Sequence, residues 1–344
     1  MNKIVLNGTE IKTIKEILSS LVSEHSSAEN PEFLRLARVY AHELPRRLRR
    51  ALTEFATIEM SSGIYLISGY EIDNEKIGRT PTHWKGNPDR SKALEEEMLL
   101  VLFGSLLGDA FGWFTQQDGR IIHDVMPIKG NENEQIGTGS EQLLWWHNED
   151  AFHPYRGDYL GIMCLRNPDK VATTIGCIDQ INLSDARLKL LFEPRYVILP
   201  DESHLEKNSS RQGDESPESR NDALSAYKRI RRMNAMPEKI PVLFGDPGSP
   251  YIRIDPYFMD PLEVDPEAQE ALNILTQSMD AALYDLVLEP GDCVFIDNYR
   301  TVHGRKPFKA RYDGNDRWLK RVNITRDIRK SRDSRISCTD RLIY

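Results

Sequence analysis

The sequence predicts a mainly β protein, of the sandwich or jelly-roll kind, with a helical N-terminal part. From about residue 112 onward, short apolar runs alternate with turns, which is typical of such folds. No Gly-x-Gly-x-x-Gly or Walker loop occurs in the chain, so a nucleotide-binding α/β sheet is not indicated. The predicted strands are 62–70, 121–128, 159–165, 171–178, 195–199, 240–244, 251–254, 286–288, 293–297 and 318–325.

Helices are predicted within the first 111 residues. Apolar residues recur at helical spacing from 12 to 23. A second helix should begin at Asn30-Pro31, because Asn caps backbone amides and Pro fits the first turn; it is interrupted near Pro45. The strongest helical pattern runs from 91 to 111, where three early glutamates suit the positive end of the helix.

The 344 residues are compatible with one domain over 1–344. We expect a mostly helical part at 1–111, a jelly-roll core at 112–327 and a charged, peripheral tail at 328–344. The polar insertion 206–238 interrupts the core, and its second half is amphipathic. Composition alone leaves open whether this insertion is a disordered loop or an active-site lid.

Composition narrows the class of partner. A formal net charge of −8 argues against nucleic acid, and no apolar run approaches the ~18 residues of a membrane span. The N-terminus lacks signal-peptide features, and the four cysteines show no Cys-x-x-Cys spacing. Reduced thiols rather than a zinc site are therefore expected, in a cytoplasmic protein that could form a homo-oligomer.

A His-x-Glu pair, His147 and Glu149, is the candidate metal site. In an extended strand these two side chains point to the same face. One imidazole and one carboxylate are two of the three ligands in a 2-His-1-carboxylate triad. The best candidate for the third ligand is His303, which follows the turn 289–292 and the apolar run 293–296.

Arginines after His303 suggest a co-substrate site. Iron(II) in such a triad keeps positions open for O₂ and a chelator, which in enzymes of this kind is usually 2-oxoglutarate. The planar fork of Arg317 suits the distal carboxylate of that chelator. The turn at Asp313-Gly314 would let a returning strand bring Arg317 beside His303, with Arg321 on the same strand face.

Three longer segments, 111–119, 147–156 and 302–321, extend this pattern. They resemble the clavaminate synthase-like family of Fe(II)/2-oxoglutarate oxygenases, and above all its branch of free L-lysine hydroxylases and L-arginine β-hydroxylases. The resemblance runs from about residue 30 to 332. It implies a double-stranded β-helix (jelly roll, cupin-like) core with helical additions, and it supports the lid interpretation of 206–238.

The resemblance also implies roles for individual residues. His147, Glu149 and His303 match the iron ligands. Arg317 matches the arginine that binds 2-oxoglutarate, and Thr174 matches a threonine that assists it. The positions that match substrate contacts are Gln116 and Glu149 for the amine, Arg321 for the α-carboxylate, and Asp201, Asp255 and Tyr257 for the polar ends. His123 and His153 match no role.

The implied reaction is hydroxylation of a free basic amino acid with O₂ and 2-oxoglutarate, giving succinate and CO₂. The arginine hydroxylases of this branch present two aspartates, two positions apart, to the guanidinium; here Asp255 is followed by Tyr257. One carboxylate and one phenol suit an ammonium better than a five-donor guanidinium. L-lysine is therefore predicted, at C4 rather than C3, with L-arginine 3-hydroxylation as the alternative. If Tyr257 faces the core instead, other residues set the specificity.

Three other functions account for these residues less well. A halogenase needs a vacant metal position, which Glu149 fills. A zinc hydrolase would leave Arg317 without a role. A non-catalytic binding protein on the same fold has no need of the complete ligand set.

Overall fold

The computed structural model describes residues 2–85, 91–182, 186–208 and 217–344, with the backbone alone for 217–223. Most helices precede the strands of the core, as the apolar spacing predicts. Asn30 caps the second helix as expected, with its side chain accepting from the amides of Glu32 and Phe33. The helices are α1 Gly8–Glu24, α2 Pro31–Ala41, α3 Arg46–Thr57, α4 Asn74–Ile77, α5 Leu94–Ser105, α6 Pro217–Ala235 and α7 Pro266–Ala282.

The strands form an eight-stranded, a four-stranded and a two-stranded sheet. Their bounds are β1 Asn2–Val5, β2 Ile64–Ser68, β3 Asp109–Trp113, β4 Ile122–Val125, β5 Leu144–His147, β6 Tyr159–Arg166, β7 Ala172–Cys177, β8 Leu243–Asp246, β9 Ser249–Ile252, β10 Tyr284–Val287, β11 Cys293–Asp297, β12 Thr301–Arg305, β13 Trp318–Thr325 and β14 Leu342–Ile343. The large sheet has the order β1-β2-β11-β6-β13-β3-β14, with β4 also on β13; the smaller sheets are β10-β7-β12-β5 and β8-β9.

The large and the four-stranded sheets face each other across an apolar core. Ile162 and Leu319 of the large sheet pack with Ile175 and Leu286 of the four-stranded sheet, because alternate residues of each strand point inward. The opposite face of the large sheet is covered by α1, α2, α3 and α5. Helix α7 packs on the outer face of the four-stranded sheet. The fold is thus mainly β with helical additions, as predicted.

Several predicted boundaries were wrong. Helix α5 ends at Ser105 rather than 111, and β3 already begins at Asp109. Backbone packing explains the break, since a Cβ on Gly108 would lie 2.3 Å from the Thr325 carbonyl oxygen. The predicted strand 195–199 forms only a bridge between Tyr196 and Ile240. Helix α7 was missed, although Asp265 and Pro266 form a recognisable helix start.

The two ends of the chain belong to the large sheet. Strands β1, β2 and β3 join it from the N-terminal part that was expected to be mostly helical. The tail after 327 was expected to be peripheral, yet β14 pairs in parallel with β3, and Ile343 is buried against Phe111 and Trp113.

The insertion 206–238 contains α6, and its residues 209–216 lie outside the described residues. Ile230 of α6 is buried beside Phe152, close after Glu149 in the chain. The lid interpretation stays a prediction. Within the part of the chain that the structure describes, no helix is long and apolar enough to cross a membrane.

Candidate active site

A cavity between the two facing sheets brings together most of the residues singled out in the sequence. Its wall includes His147, Glu149, Asp201, Asp255, Tyr257, His303, Arg317 and Arg321. Gln116 lines an adjoining cavity, which shares Ser203 and Arg321 with the first. Thr174 lines neither cavity; its neighbour Thr173 lines the first.

The His147, Glu149 and His303 side chains converge at one point. The histidines are register partners on β5 and β12, and their ring centroids are 4.7 Å apart. Glu149 Oε2 lies 3.3 Å from His303 Nε2 and 3.9 Å from His147 Nε2. The possible ligand atoms of all three lie within 4.8 Å of one another, which fits two imidazoles and one carboxylate on one face of a metal ion.

Glu149 does not lie in a strand, contrary to the expectation. Strand β5 ends at His147, and Glu149 occupies the turn that follows. Its position is fixed by Asn298, whose side-chain oxygen accepts from the Glu149 amide at 2.8 Å and whose side-chain NH₂ donates to the Glu149 carbonyl at 3.0 Å. A long-range contact, rather than strand periodicity, places this carboxylate.

The hydrogen bonds and charges around His147 and Glu149 also suit a bound metal ion. His147 Nδ1 lies 2.7 Å from the Trp145 carbonyl, to which it can only donate, so Nε2 is the nitrogen left for a metal. Burial lowers the pKa of His147, but the adjacent Glu149 and the charge of Asp255 outweigh it and raise this pKa to about 9. A metal ion would therefore displace the Nε2 proton. Burial raises the pKa of Glu149, but Arg321 and the two histidines outweigh it and hold the pKa well below its usual range. Glu149 Oε2 is buried without a hydrogen-bond partner among the described residues, as expected of an atom that would bind a cation.

Arg317 is a buried cation without an anionic partner. It is 5% exposed, and no carboxylate of the described ranges forms an ion pair with it. Its single hydrogen bond there runs from Nη2 to Thr173 Oγ1 at 3.4 Å. Burial lowers its pKa to about 10, which leaves the guanidinium charged at neutral pH. Arg305, equally buried in the same wall, donates instead to the carbonyls of Gly139 and Gln142.

Two details of the predicted 2-oxoglutarate site need correction. Arg317 lies directly before β13, which belongs to the large sheet, whereas His303 lies on β12 of the four-stranded sheet, so the two residues are not on neighbouring strands. Arg317 reaches the cavity from the opposite sheet. The threonine near it is Thr173 rather than Thr174, since neighbouring residues of β7 point to opposite faces.

Arg321 lies on the other side of Glu149 from the histidines. Its Nη1 donates to Glu149 Oε1, and its Nη2 donates to Gln116 Oε1 at 3.2 Å and to His123 Nδ1 at 2.7 Å. The Arg321 Nε–H has no partner in the described structure. A carboxylate could therefore bind Arg321 beside the cluster of His147, Glu149 and His303.

Two carboxylates, Asp201 and Asp255, lie elsewhere on the cavity wall. Burial raises the pKa of Asp255 to about 6, and the charge of Asp201 contributes to the rise, so the two are electrostatic neighbours. Tyr257 is half exposed and lines the same cavity. It does not face the core, which removes the alternative in which other residues alone set the specificity.

A buried polar network around Asp150 was missed in the sequence. Asp150 accepts hydrogen bonds from Trp113, Gln116, His204 and Asn323. His204 is fully buried and its Nδ1 contacts Thr115 Oγ1 at 2.7 Å. This network ties the turn that carries Glu149 to the loop that carries Asp201. The Asp-x-x-His spacing of 201–204 is the signal that could have indicated it.

Comparison with known proteins agrees with this geometry. Residues 202–323 match the family described as taurine catabolism dioxygenase TauD, TfdA family. Clavaminate synthase 2 of Streptomyces clavuligerus is 32% identical over 90% of this chain and 88% of its own. The chain belongs to the clavaminate synthase-like Fe(II)/2-oxoglutarate oxygenases of the TauD/TfdA family. The family resemblance seen in the sequence is thereby confirmed.

Relatives within this family are more similar still. Enduracididine beta-hydroxylase of Streptomyces hygroscopicus is 47% identical over 98% of both chains. L-ornithine/L-arginine 3-hydroxylase of Catenulispora acidiphila is 41% identical over the whole of both. The non-heme iron oxygenase OrfP in complex with Fe, succinate and (3S)-hydroxy-L-Arg superposes with a TM-score of 0.93, at 42% identity over the full length of both. An L-lysine 3-hydroxylase of C. acidiphila is 28% identical over 97% of this chain and 87% of its own.

These similarities confirm the double-stranded β-helix fold and the enzyme class. The protein is an amino-acid hydroxylase that depends on iron, 2-oxoglutarate and O₂. The non-catalytic alternative is thereby set aside.

Proposed function

We propose that this enzyme hydroxylates C3, the β-carbon, of a free L-amino acid with a guanidinium side chain, L-arginine first among them. The observation that carries the proposal is that two carboxylates, Asp201 and Asp255, line the same cavity and interact electrostatically. Two carboxylates suit the five donors of a guanidinium. The two full-length relatives described above, named for enduracididine and for ornithine and arginine, support the same choice.

The preference for L-lysine at C4 is less well supported. It counted Asp255 and Tyr257 as the groups for the substrate side chain, whereas Asp201 supplies a second carboxylate from a separate loop. The lysine hydroxylase compared above is also much less similar than the arginine hydroxylase. Tyr257 then lies beside the guanidinium, where its ring can pack against the planar cation.

We assign iron to His147, Glu149 and His303, and the distal carboxylate of 2-oxoglutarate to Arg317 with Thr173. With iron bound, O₂ would be the oxidant for C–H hydroxylation, while 2-oxoglutarate would supply two of the four electrons on its conversion to succinate and CO₂ and the substrate C–H bond the other two. The side chains of the protein would orient the amino-acid substrate. Arg321 and Gln116 would hold the α-carboxylate and amine, and Asp201 and Asp255 the other end. Fixing both ends sets which carbon faces the metal.

A competition assay tests the substrate. The enzyme receives equimolar L-arginine and L-lysine with iron, 2-oxoglutarate and O₂, and products are detected by mass. We expect predominantly 3-hydroxyarginine, and Tyr257→Asp should raise the arginine preference further by adding a third carboxylate. Predominant hydroxylysine in the wild type would overturn the proposal and restore the lysine interpretation.

A further inference from the structure

His123 faces Arg321 directly across two paired strands. The two residues are register partners on β4 and β13. His123 is 3% exposed, and its Nδ1 lies 2.7 Å from Arg321 Nη2. Its Nε2 lies 3.0 Å from the Arg120 carbonyl oxygen. His123 is neither a ligand of the metal cluster nor part of the cavity wall that holds that cluster.

These two contacts determine the tautomer of His123. A guanidinium can only donate, so Nδ1 must accept; a carbonyl can only accept, so Nε2 must carry the proton. The imidazole is therefore neutral with both nitrogens satisfied. Burial and the adjacent Arg321 charge agree with this state, since both lower the pKa of His123 far below its usual value.

The carbonyl that holds the imidazole is itself fixed. It belongs to Arg120, whose guanidinium donates to Asp124 at 3.2 Å. The preceding turn is tied to β4 by Gln117, which donates to the Asp124 carbonyl at 2.8 Å and accepts from the Asp124 amide at 3.1 Å. The Nδ1 lone pair thus points at Arg321 from a rigid support.

A neutral acceptor has a specific effect on an arginine. It fixes the plane of the guanidinium without neutralising its charge. Glu149 already forms an ion pair with Nη1 of Arg321, and a second carboxylate at position 123 would compete with an incoming anion. A neutral imidazole leaves the unpartnered Nε–H edge available to that anion.

We propose that His123 is a positioning residue that orients the Arg321 guanidinium toward the α-carboxylate of the amino-acid substrate. This rests on the proposed function, because Arg321 is assigned there to the α-carboxylate. His123 has no direct contact with the substrate in this role. In the described structure His123 has no hydrogen bond to the proposed metal ligands or to Arg317, so its main effect should be on affinity for the carboxylate end.

Three variants separate the parts of this role. In His123→Asn, the amide oxygen can replace Nδ1 as a neutral acceptor. In His123→Leu the acceptor is lost, and in His123→Asp it becomes an anion. Losing a hydrogen bond to a charged group corresponds to about tenfold in affinity. We expect the KM for L-arginine to rise about tenfold in the His123→Leu variant and more than that in His123→Asp. In His123→Asn it should rise less than about threefold. The 2-oxoglutarate KM should be unchanged in all three variants.

Agmatine, which is arginine without its α-carboxylate, distinguishes positioning from a general structural effect. Its inhibition constant against arginine turnover should be the same in the wild type and all three variants. Equal weakening of arginine and agmatine would overturn the proposal. If the Leu variant does not fold, the Asn and Asp variants still test the proposal. His123→Asp must then weaken the binding of arginine more than His123→Asn does, while agmatine binds equally well to both.

The same experiment separates this proposal from the substrate assignment. If the wild type turns over lysine instead, the proposed function fails, and the variants are then tested with lysine and its decarboxylated form, cadaverine. Selective weakening of the carboxylate-bearing partner would still support the role of His123. His42→Leu, on the exposed end of α2, is the matched control and should change neither KM.

Discussion

Asn298 and Glu149 are joined by two reciprocal hydrogen bonds between the Asn298 side chain and the Glu149 backbone. The same Asn298 NH₂ donates to the Gly157 carbonyl at 2.9 Å, which fixes the side chain that holds the Glu149 turn. Groups that orient metal ligands typically contribute 10- to 100-fold to affinity. Asn298→Ala should therefore weaken Fe(II) binding by about that factor.

Iron binding to Asn298→Ala is measured by anaerobic titration and compared with Asn273→Ala, which removes an amide from an exposed position of α7. The Asn273 variant should bind iron normally. Wild-type affinity in Asn298→Ala would show that β5 alone positions Glu149.

His303 should be essential for the metal. His303→Ala leaves one imidazole and one carboxylate, which is too few ligands for tight iron binding at this cluster. We expect both iron binding and succinate formation to be lost. Metal analysis of the purified protein checks the first and a succinate assay the second, with the exposed His42→Ala as the matched control. Normal iron stoichiometry in His303→Ala would refute the ligand assignment.

Arg317 should determine the 2-oxoglutarate requirement. Removing one partner of a buried charge pair costs about 2–5 kcal/mol or more, so Arg317→Ala should raise the 2-oxoglutarate KM by about two orders of magnitude while iron stays bound. Titration of 2-oxoglutarate at saturating amino acid measures this. An unchanged KM would move the role to Arg305, the other buried guanidinium of the same wall.

Adjacent threonines provide a matched pair of substitutions. Thr173 contacts Arg317 in the cavity, and Thr174 points to the other face of β7. Thr173→Val should raise the 2-oxoglutarate KM several-fold by removing a hydrogen bond to a charged group. Thr174→Val makes the same chemical change outside the cavity and should leave this KM unaltered. The reverse result would return the assisting role to Thr174.

Short-range patterns in the sequence predicted α1, α2, α5 and most strands, although the end of α5 was wrong and α7 was missed. Asn30 and Pro31 define the start of α2, and the apolar run 293–297 coincides with β11. These elements are set by local capping and by residue periodicity, which act over a few positions.

Long-range contacts account for what the sequence did not predict. The anchoring of Glu149 by Asn298 spans 149 residues, and the cross-strand pair of His123 and Arg321 spans 198. Arg317 faces the metal cluster because two sheets oppose each other, which no spacing between His303 and Arg317 reveals. The meeting of Asp201 and Asp255 at one cavity likewise depends on loop packing. The lysine prediction named Asp201 as a substrate contact but compared only positions 255 and 257 with the arginine hydroxylases.

The charge of Asp255 makes substrate binding depend on pH. Burial, and next the charge of Asp201, raise its pKa to about 6 in the substrate-free protein. The carboxyl is therefore protonated, and loses its attraction for a cationic side chain, as the pH falls through 6.

The raised pKa of Asp255 also affects the stability of the fold. Because the ordinary pKa is near 3.9, the folded state holds more protons than the unfolded state between about pH 4 and 6. The corresponding contribution to stability is present below pH 4 and lost as the pH rises through 6.

The KM for L-arginine should accordingly rise about tenfold between pH 7 and pH 5, since the guanidinium stays charged throughout. Measurements at saturating iron should show a smaller change in the 2-oxoglutarate KM, because Arg317 does not titrate there. Asp255→Asn should have a high arginine KM at both pH values and little dependence between them. An equally steep pH dependence in Asp255→Asn would assign the titration to another group.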